Sequence, residues 1–373
     1  MRRICVAAIG DVGDINTHSN LPYFFFNEGK RQGVFTDALR LDLSGFAWKR
    51  RFWNLKQVLL GRGIGGFQYS TTFLTALERQ IPGSLHNACF ITFSQVFPRA
   101  DSLSPNATTV CYIDATIRNL VNNPSYGVKL PPYILQKALE QERWNYHAAS
   151  HVVVRSSWII PTLVDDYGIS SSKITHVLPG ANLALPSDWT PPPRFGRPGI
   201  DRDLVLGFVG KDWKRKGLPF LIKVRTLLAQ RGYKVRIRVI GGHSSDLTAD
   251  PAIEMTGFIN KHSGMDRFIQ AVSTCDIGCL FSASEALGIS TLEFLRTAVP
   301  VAGYYHQGLK DTLLPGASFR FNTDASSEEV AESFEVFIRN EEIRDEMRGK
   351  ALQYSNEVTW GACVARFKKL LML

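Results

Sequence analysis

The sequence predicts an α/β protein made of two doubly wound, Rossmann-like domains. Three observations carry that expectation. At 373 residues the chain is too long for one ordinary core and suits two. Short apolar runs alternate with helix-length segments, first between Ile4 and Leu178 and again from Leu204 onward, as in parallel sheets covered by helices. Between the two series lies Pro186 to Pro198, whose proline density can continue neither a helix nor a central strand.

Taken in order, Ile4 to Ile9 reads as a first buried strand, followed by a polar loop from Gly10 and a helix from Pro22 to Gly33. Strands at Val110–Ile113, His151–Val154 and Ile174–Leu178 alternate with helices at Tyr133–Ala149 and Ile159–Tyr167. Ser156 and Ser157 are placed to cap a helix beginning at Trp158. Past the linker come strand Leu204–Val209, helix Leu218–Gln230 and strand Val235–Ile240, ended by Gly241-Gly242. A helix ending near Thr274, strand Ile277–Phe281, a helix running to Thr297 and strand Val299–Gly303 follow. The chain closes with helices at Ile343–Tyr354 and Ala362–Met372. The expected organisation is an N-terminal domain over 1–185, a linker over 186–199, a second domain over 200–355 and a terminal helix within 356–373. Two such domains facing across a cleft would place ligands at the carboxyl ends of their strands.

Hydrophobic content of 45% and charged content of 21% are those of a soluble globular protein. No apolar run is long enough to span a bilayer, and Met1 to Ile9 is too short for a signal peptide, so a cytoplasmic setting is expected. The six cysteines are scattered and the Cys275/Cys279 pair has no counterpart, which disfavours zinc and favours a reduced compartment. His18, His86, His147, His151, His176, His243, His262 and His306 show no metal-ligand spacing, and no metal is expected. A net charge of +9 permits nucleic acid, an anionic membrane or an anionic substrate as partner. No helix-turn-helix, zinc-finger or aromatic RNP pattern supports nucleic acid. Trp48 to Leu60 interleaves cations with large apolar residues, a composition permissive for peripheral membrane contact. The same pattern equally describes a helix with its apolar face on the core and a solvated basic face.

The most informative segment is Phe281 to Leu295, which ends a buried strand, crosses a loop and opens a helix, with Glu285 and Glu293 bracketing a ligand-sized gap. Gly288 allows close backbone approach, and the N–H groups of Ile289, Ser290 and Thr291 would face outward at a helix N-terminus that favours phosphate. Carboxylates accept hydrogen bonds from sugar hydroxyls, so the set suits a nucleotide sugar. The plainer alternative makes Glu293 a first-turn acid and Glu285 a solvated loop residue. A second cluster weighs against that alternative: strand Leu204–Val209 runs into a loop carrying Lys211, Lys214, Arg215 and Lys216, four cations that packing does not explain.

Together these segments resemble the C-terminal domain of retaining GT-B glycosyltransferases, in particular family 4, the glycosyl transferases group 1. The family pattern of Gly-Arg, Arg-Lys-Gly and Glu-x7-Glu corresponds to Gly210-Lys211, Arg215-Lys216-Gly217 and Glu285 to Glu293. The resemblance implies a GT-B fold and transfer of a sugar from a nucleoside diphosphate to a hydroxyl acceptor in glycan or glycoconjugate biosynthesis. It further implies that Lys211 and Lys216 neutralise the donor diphosphate, with Arg215 beside them, that Glu293 binds the ribose and that Glu285 holds the transferred sugar. Lys211 replaces the usual Arg, keeping the charge and losing bidentate contact. Phe258, in the Thr256–Ile259 loop, is expected near the base, which stays open among uracil, guanine and adenine.

In the first domain the resemblance is looser. Ser19-Asn20-Leu21-Pro22 matches the placement of a Ser-Gly-Thr-Pro phosphate loop, and Asn tolerates the left-handed conformation that the glycine would supply. Tyr112–Thr116, Arg155–Trp158 and Pro179–Asn182 also resemble this branch of the family. Asp114 then lies at a strand end, either positioning the acceptor hydroxyl or the sugar, or capping the following turn. Trp360 resembles the Thr/Ser-Trp that precedes a helix crossing back to the first domain. No cofactor beyond the donor is implied, and the donor's own phosphate oxygen serves as base. A non-catalytic binding or assembly protein, or a sugar-nucleotide epimerase or hydrolase, are the rival readings on the same fold.

Overall fold

The computed structural model describes residues 3–98, 103–186, 188–242 and 250–372, and His243 lies outside them. The chain divides into two compact units, one of Met1–Pro179 with Cys363–Leu373 and one of Gly180–Ala362.

The first unit carries a seven-stranded sheet in the order β2-β3-β1-β4-β5-β6-β7. Its strands are β1 (Ile4–Ala7), β2 (Gly10–Asp11), β3 (Asp37–Leu41), β4 (Cys89–Thr92), β5 (Thr108–Ile113), β6 (His151–Val154) and β7 (Ile174–His176). All neighbours pair in parallel except β2 with β3. The expected first strand thus stops at Ala7, and Gly10-Asp11 turns back along β3. Helices delimited among the described residues of this unit's N-terminal part are α1 (Leu21–Arg31), α2 (Phe46–Leu59), α3 (Thr71–Glu78), α4 (Ile117–Val121), α5 (Pro132–Ala148) and α6 (Ile160–Asp165). Ser156 precedes a single turn of 3-10 helix at Ser157–Ile159 and its side chain does not cap it, which corrects the expected role of Ser156. The helix after β5 is capped by Thr116, whose side chain accepts from the Asn119 N–H at the start of α4. The alternative of Asp114 as a cap is thereby excluded, and its carboxylate instead takes a hydrogen bond of 3.0 Å from Arg155.

The second unit has a six-stranded, wholly parallel sheet ordered β10-β9-β8-β11-β12-β13. These strands are β8 (Leu204–Val209), β9 (Val235–Ile240), β10 (Ile253–Gly257), β11 (Ile277–Leu280), β12 (Val301–Tyr304) and β13 (Ser318–Phe321). Its helices are α7 (Leu218–Gln230), α8 (Met265–Ser273), α9 (Ile289–Arg296), α10 (Leu309–Thr312), α11 (Ser327–Arg339) and α12 (Glu341–Ser355). The central strands β8 and β11 are buried almost throughout, as near-continuous apolar runs in a doubly covered parallel sheet should be. Leu218, Leu221, Val224 and Leu228 of α7 and Phe334, Phe337 and Ile338 of α11 close the core over Leu206, Phe208, Ile237 and Val239. A final helix, α13 (Trp360–Leu370), leads the chain back into the first unit, where Phe367 lies edge-on to Phe25 and Tyr112 at 4.9 Å.

One pairing sets the position of the helix that carries Glu293. Gly278 of β11 stands opposite Gly207 of β8, and the Phe294 ring lies on both. A Cβ at Gly278 would come within 2.2 Å of that ring and one at Gly207 within 2.7 Å. The two glycines therefore let α9 approach the sheet more closely than any side chain would permit. Among the described residues no helix is long and apolar enough to cross a membrane, and the six cysteines are buried and form no disulfide.

Candidate functional site

In the second unit the loops after β8 and β11 meet backbone to backbone. Gly217 has φ +84°, and a Cβ there would fall 2.0 Å from the Phe281 carbonyl oxygen, so only glycine fits. Across this contact the Ala283 N–H donates to the Arg215 carbonyl at 2.9 Å and the Arg215 guanidinium donates to the Ser284 carbonyl at 2.6 Å. Arg215 also holds Asp212 at 2.9 Å, so it braces both loops.

This joining brings Lys216, Arg215 and Glu285 together. Lys216 Nζ stands 3.4 Å from Glu285 Oε2 and Arg215 3.7 Å from the same oxygen. That oxygen is buried and accepts no hydrogen bond among the described residues. A buried carboxylate oxygen left without a donor is costly, and a ligand hydroxyl would satisfy it. Lys216 reaches this point because its stem lies over Gly210, where a Cβ would fall 2.4 Å from Lys216 Cδ. Lys211 extends elsewhere, with its ammonium 4.3 Å above the ring of Phe258, whose side chain is exposed. Lys214 covers Trp213 in the same way at 5.2 Å.

The loop bearing Glu285 is fixed from β12. Gln307, at φ +44°, accepts from the Glu285 N–H at 2.9 Å and from Ser284 Oγ at 3.0 Å, and the His306 ring bonds the Ser282 carbonyl at 2.9 Å. The Gly308 N–H donates to the Glu285 carbonyl at 3.0 Å, and a Cβ at Gly308 would collide with the Ala286 carbonyl. Gln307, His306 and Gly308 escape sequence reading because nothing in their spacing ties them to a loop twenty residues earlier.

Gly288 adopts φ +84° and opens α9 as expected of a close-approach glycine. Of the three N–H groups expected to face outward, that of Thr291 does not: it donates to the Gly288 carbonyl at 3.0 Å, with Thr291 Oγ1 on the same oxygen at 2.6 Å. The tight first turn consumes that donor and leaves Ile289 and Ser290, whose N–H groups have no acceptor among the described residues. Glu293, one turn in, is buried, and its carboxylate is bonded by Lys261, whose ammonium also sits 4.2 Å over the Phe268 ring. Lys261 is a second residue that sequence reading misses.

In the first unit, His18, Ser19 and Asn20 have φ of +43°, +58° and +73°. The left-handed turn expected of Asn20 is present and extends to two further non-glycine residues, each at a cost of roughly 1–2 kcal/mol. Asn20 Nδ2 offsets part of this by donating to the Ile15 carbonyl. The imidazole of His18 is held below its ordinary pKa by desolvation and then by the charge of Arg155, with Asp114 acting in the opposite sense. Arg155 itself lies 5.5 Å from the Phe93 ring and 5.6 Å from the Tyr112 ring, beneath Asp114. Ser19, Asn20 and His18 thus share one end of the first sheet with Asp114 and Arg155.

The sequence profile of the family described as glycosyl transferases group 1 matches residues 194–354. Over 243 residues the chain is 23% identical to a D-inositol 3-phosphate glycosyltransferase of Corynebacterium aurimucosum, covering 60% of this chain and 56% of the relative. It is 25% identical to a 2-deoxystreptamine glucosyltransferase of Streptomyces kanamyceticus, covering 46% and 47%. The chain therefore spans about half the length of the curated relatives it matches. Among solved structures, a sucrose-phosphate synthase from Thermosynechococcus elongatus superposes with a TM-score of 0.68 at 11% identity, over 100% of this chain and 98% of that one. Anabaena HepE in complex with UDP superposes with a TM-score of 0.65 at 14% identity over the whole of both chains. The chain accordingly has the GT-B fold, and its residues 194–354 match the glycosyl transferases group 1 profile.

Proposed function

We propose that this protein is a retaining glycosyltransferase that moves a sugar from a nucleoside-diphosphate sugar to a hydroxyl acceptor. The observation that carries the reading is the Glu285 oxygen, buried without a hydrogen-bond partner among the described residues and flanked by Lys216 and Arg215. A sugar hydroxyl satisfies the oxygen while the adjoining diphosphate takes the cations. The family match of residues 194–354 supports the same assignment. UDP is the first nucleotide to test, because it is held by a structure of the same fold.

In this reading Lys216, the open N–H groups of Ile289 and Ser290, and Lys211 after it swings from the Phe258 ring stabilise the negative charge that grows on the departing diphosphate. Glu293 accepts from the ribose hydroxyls after Lys261 yields one of its contacts, and Phe258 lies beside the base. The bond from the anomeric carbon to the phosphate oxygen breaks as the acceptor oxygen bonds to the same face. The acceptor proton passes to the departing phosphate oxygen, so no side chain is an obligatory nucleophile. No metal is required, since the cations are supplied by the chain. Asp114 orients the acceptor hydroxyl, and Ser19 and Asn20 present backbone to the phosphates; these roles rest on the family resemblance.

Incubation with a radiolabelled UDP-sugar and a panel of hydroxyl acceptors, with and without a chelator, tests the proposal. Transfer with the donor's anomeric configuration kept and no loss on chelation is expected. Free sugar or an epimerised nucleotide as the sole product would replace transfer with hydrolysis or isomerisation.

A further inference from the structure

We infer that α2 is a docking surface for an anionic lipid bilayer. Trp48, Phe52, Leu55 and Leu59 recur at spacings of four, three and four residues, which places them in one stripe along the helix. The stripe points outward: these side chains are 64%, 69%, 56% and 78% exposed. Val58, Leu60 and Ile64 extend the apolar surface and are also exposed. A solvent-facing helix would carry polar residues there, and an isolated exposed leucine would need no account, but a continuous stripe of this kind does.

The opposite face already has its partners, so the stripe is not a core surface awaiting a better fit. Phe46 packs against Phe73 at 5.1 Å and Phe67 at 6.1 Å, and Trp53 lies 6.2 Å from Phe67. Trp53 Nε1 donates to the Gly65 carbonyl and Asn54 accepts from the Gly65 N–H, both at 3.0 Å, while Gln57 is buried. These contacts hold the helix by its inner side and fix the direction of the outer one. The sequence-level choice between an apolar face on the core and an apolar face at a membrane is decided locally: the large apolar residues other than Phe46 and Trp53 face out.

Charge selects the occupant. Lys49 and Lys56 flank the stripe on one side and Arg51 on the other. Between Asp42 and Glu78 the sequence has no acidic residue at all. An apolar strip bordered by cations and free of carboxylates matches an anionic leaflet, whose acyl boundary takes the apolar residues and whose headgroups take the cations. Tryptophan is well suited to that boundary. A protein partner would be expected to meet mixed charge at its rim, which this surface lacks.

Flotation of the full chain with vesicles tests the inference, using phosphatidylcholine alone and equal parts phosphatidylcholine and phosphatidylglycerol. Co-flotation with the anionic vesicles only, weakened by added salt, is expected. Phe52→Ser with Leu59→Ser is expected to lower partitioning by on the order of tenfold for each side chain. Lys49→Glu with Arg51→Glu is expected to lower it by at least about fivefold for each cation lost. Phe52, Leu59 and Arg51 are exposed and Lys49 is half-buried, so unchanged unfolding midpoints distinguish lost lipid binding from lost fold, and the salt titration needs no substitution. No binding to anionic vesicles, or binding indifferent to both pairs, overturns the inference. So does vesicle-free self-association abolished by Phe52→Ser with Leu59→Ser, which would give the stripe to a second copy of the chain.

Discussion

Lys261 donates to the buried carboxylate of Glu293 across the start of α9, and the aromatic face of Phe268 supports its ammonium. The acid that the family pattern assigns to the ribose is therefore already matched by a cation from the loop after β10. A pair this buried is weak evidence of stabilisation, because desolvation offsets attraction, but removing one partner leaves an uncompensated charge.

Lys261→Met is accordingly expected to lower stability by about 3–5 kcal/mol, and addition of Glu293→Gln should restore most of that loss. Denaturant unfolding of the two single variants and the double variant measures the coupling. Additive losses would show that the two groups do not share one ion pair.

Lys216→Ala should reduce turnover by at least about a hundredfold, the order seen when one preorganised charge-stabilising donor is removed, while lowering stability less than Lys261→Met does, because Arg215 still faces Glu285. Lys216→Arg should recover part of the activity, since the charge returns in a different shape. Initial rates at saturating donor decide this, and unchanged turnover in Lys216→Ala would remove the lysine from the leaving-group site.

Gly278→Ala tests how α9 is positioned. The added methyl meets the Phe294 ring, so a stability loss of about 1–3 kcal/mol is expected together with weaker nucleotide binding, because the Glu293 helix must lift from the sheet. Phe294→Leu in the same chain should relieve the clash. Calorimetric titration beside thermal unfolding separates the two effects.

Glu142 gives a pH signature in the first unit. Its carboxyl is fully buried, accepts from the Ile117 N–H at 3.0 Å and from the Tyr167 hydroxyl, and is raised by burial to about 7. The folded state then holds a proton that the unfolded state releases near 4.5, so this contribution to stability is present below pH 4.5 and is lost as pH rises toward 7. Glu142→Gln should flatten the stability profile across that window, as read by unfolding at a series of pH values. An unchanged slope would mean that another group titrates there.

Much of the second unit is legible in the sequence because Leu204–Val209 is a near-continuous apolar run and Val235–Ile240 alternates apolar residues with arginine, each ended by glycine. Lys216, Glu285 and Gly288 are legible because one loop and one helix start place them, so short spacing encodes their roles. Lys261 and Gln307 are not, since each reaches its partner across the sheet order and only the fold brings them there. Gly207 and Gly278 read as weak points in strands, and their purpose appears only when the register sets them side by side beneath Phe294. In the first unit β3 and β4 escape notice, β3 because its exposed Arg40 and half-buried Asp37 break the apolar run. The turn at Asn20 is anticipated from Asn chemistry, whereas the left-handed His18 and Ser19 are not, because neither residue type favours that region enough to be read.

The most direct test of a nucleotide-sugar site is calorimetric titration of UDP, GDP, ADP and their common sugar conjugates into the wild type, Glu285→Gln and Glu293→Ala. Saturable binding of one nucleotide family is predicted, weakened at least about tenfold by Glu293→Ala, the loss expected for a hydrogen bond to a charged group. Glu285→Gln should weaken only the sugar conjugate and leave the free diphosphate unchanged. Absence of binding by all of them, or affinity indifferent to both substitutions, would contradict the account.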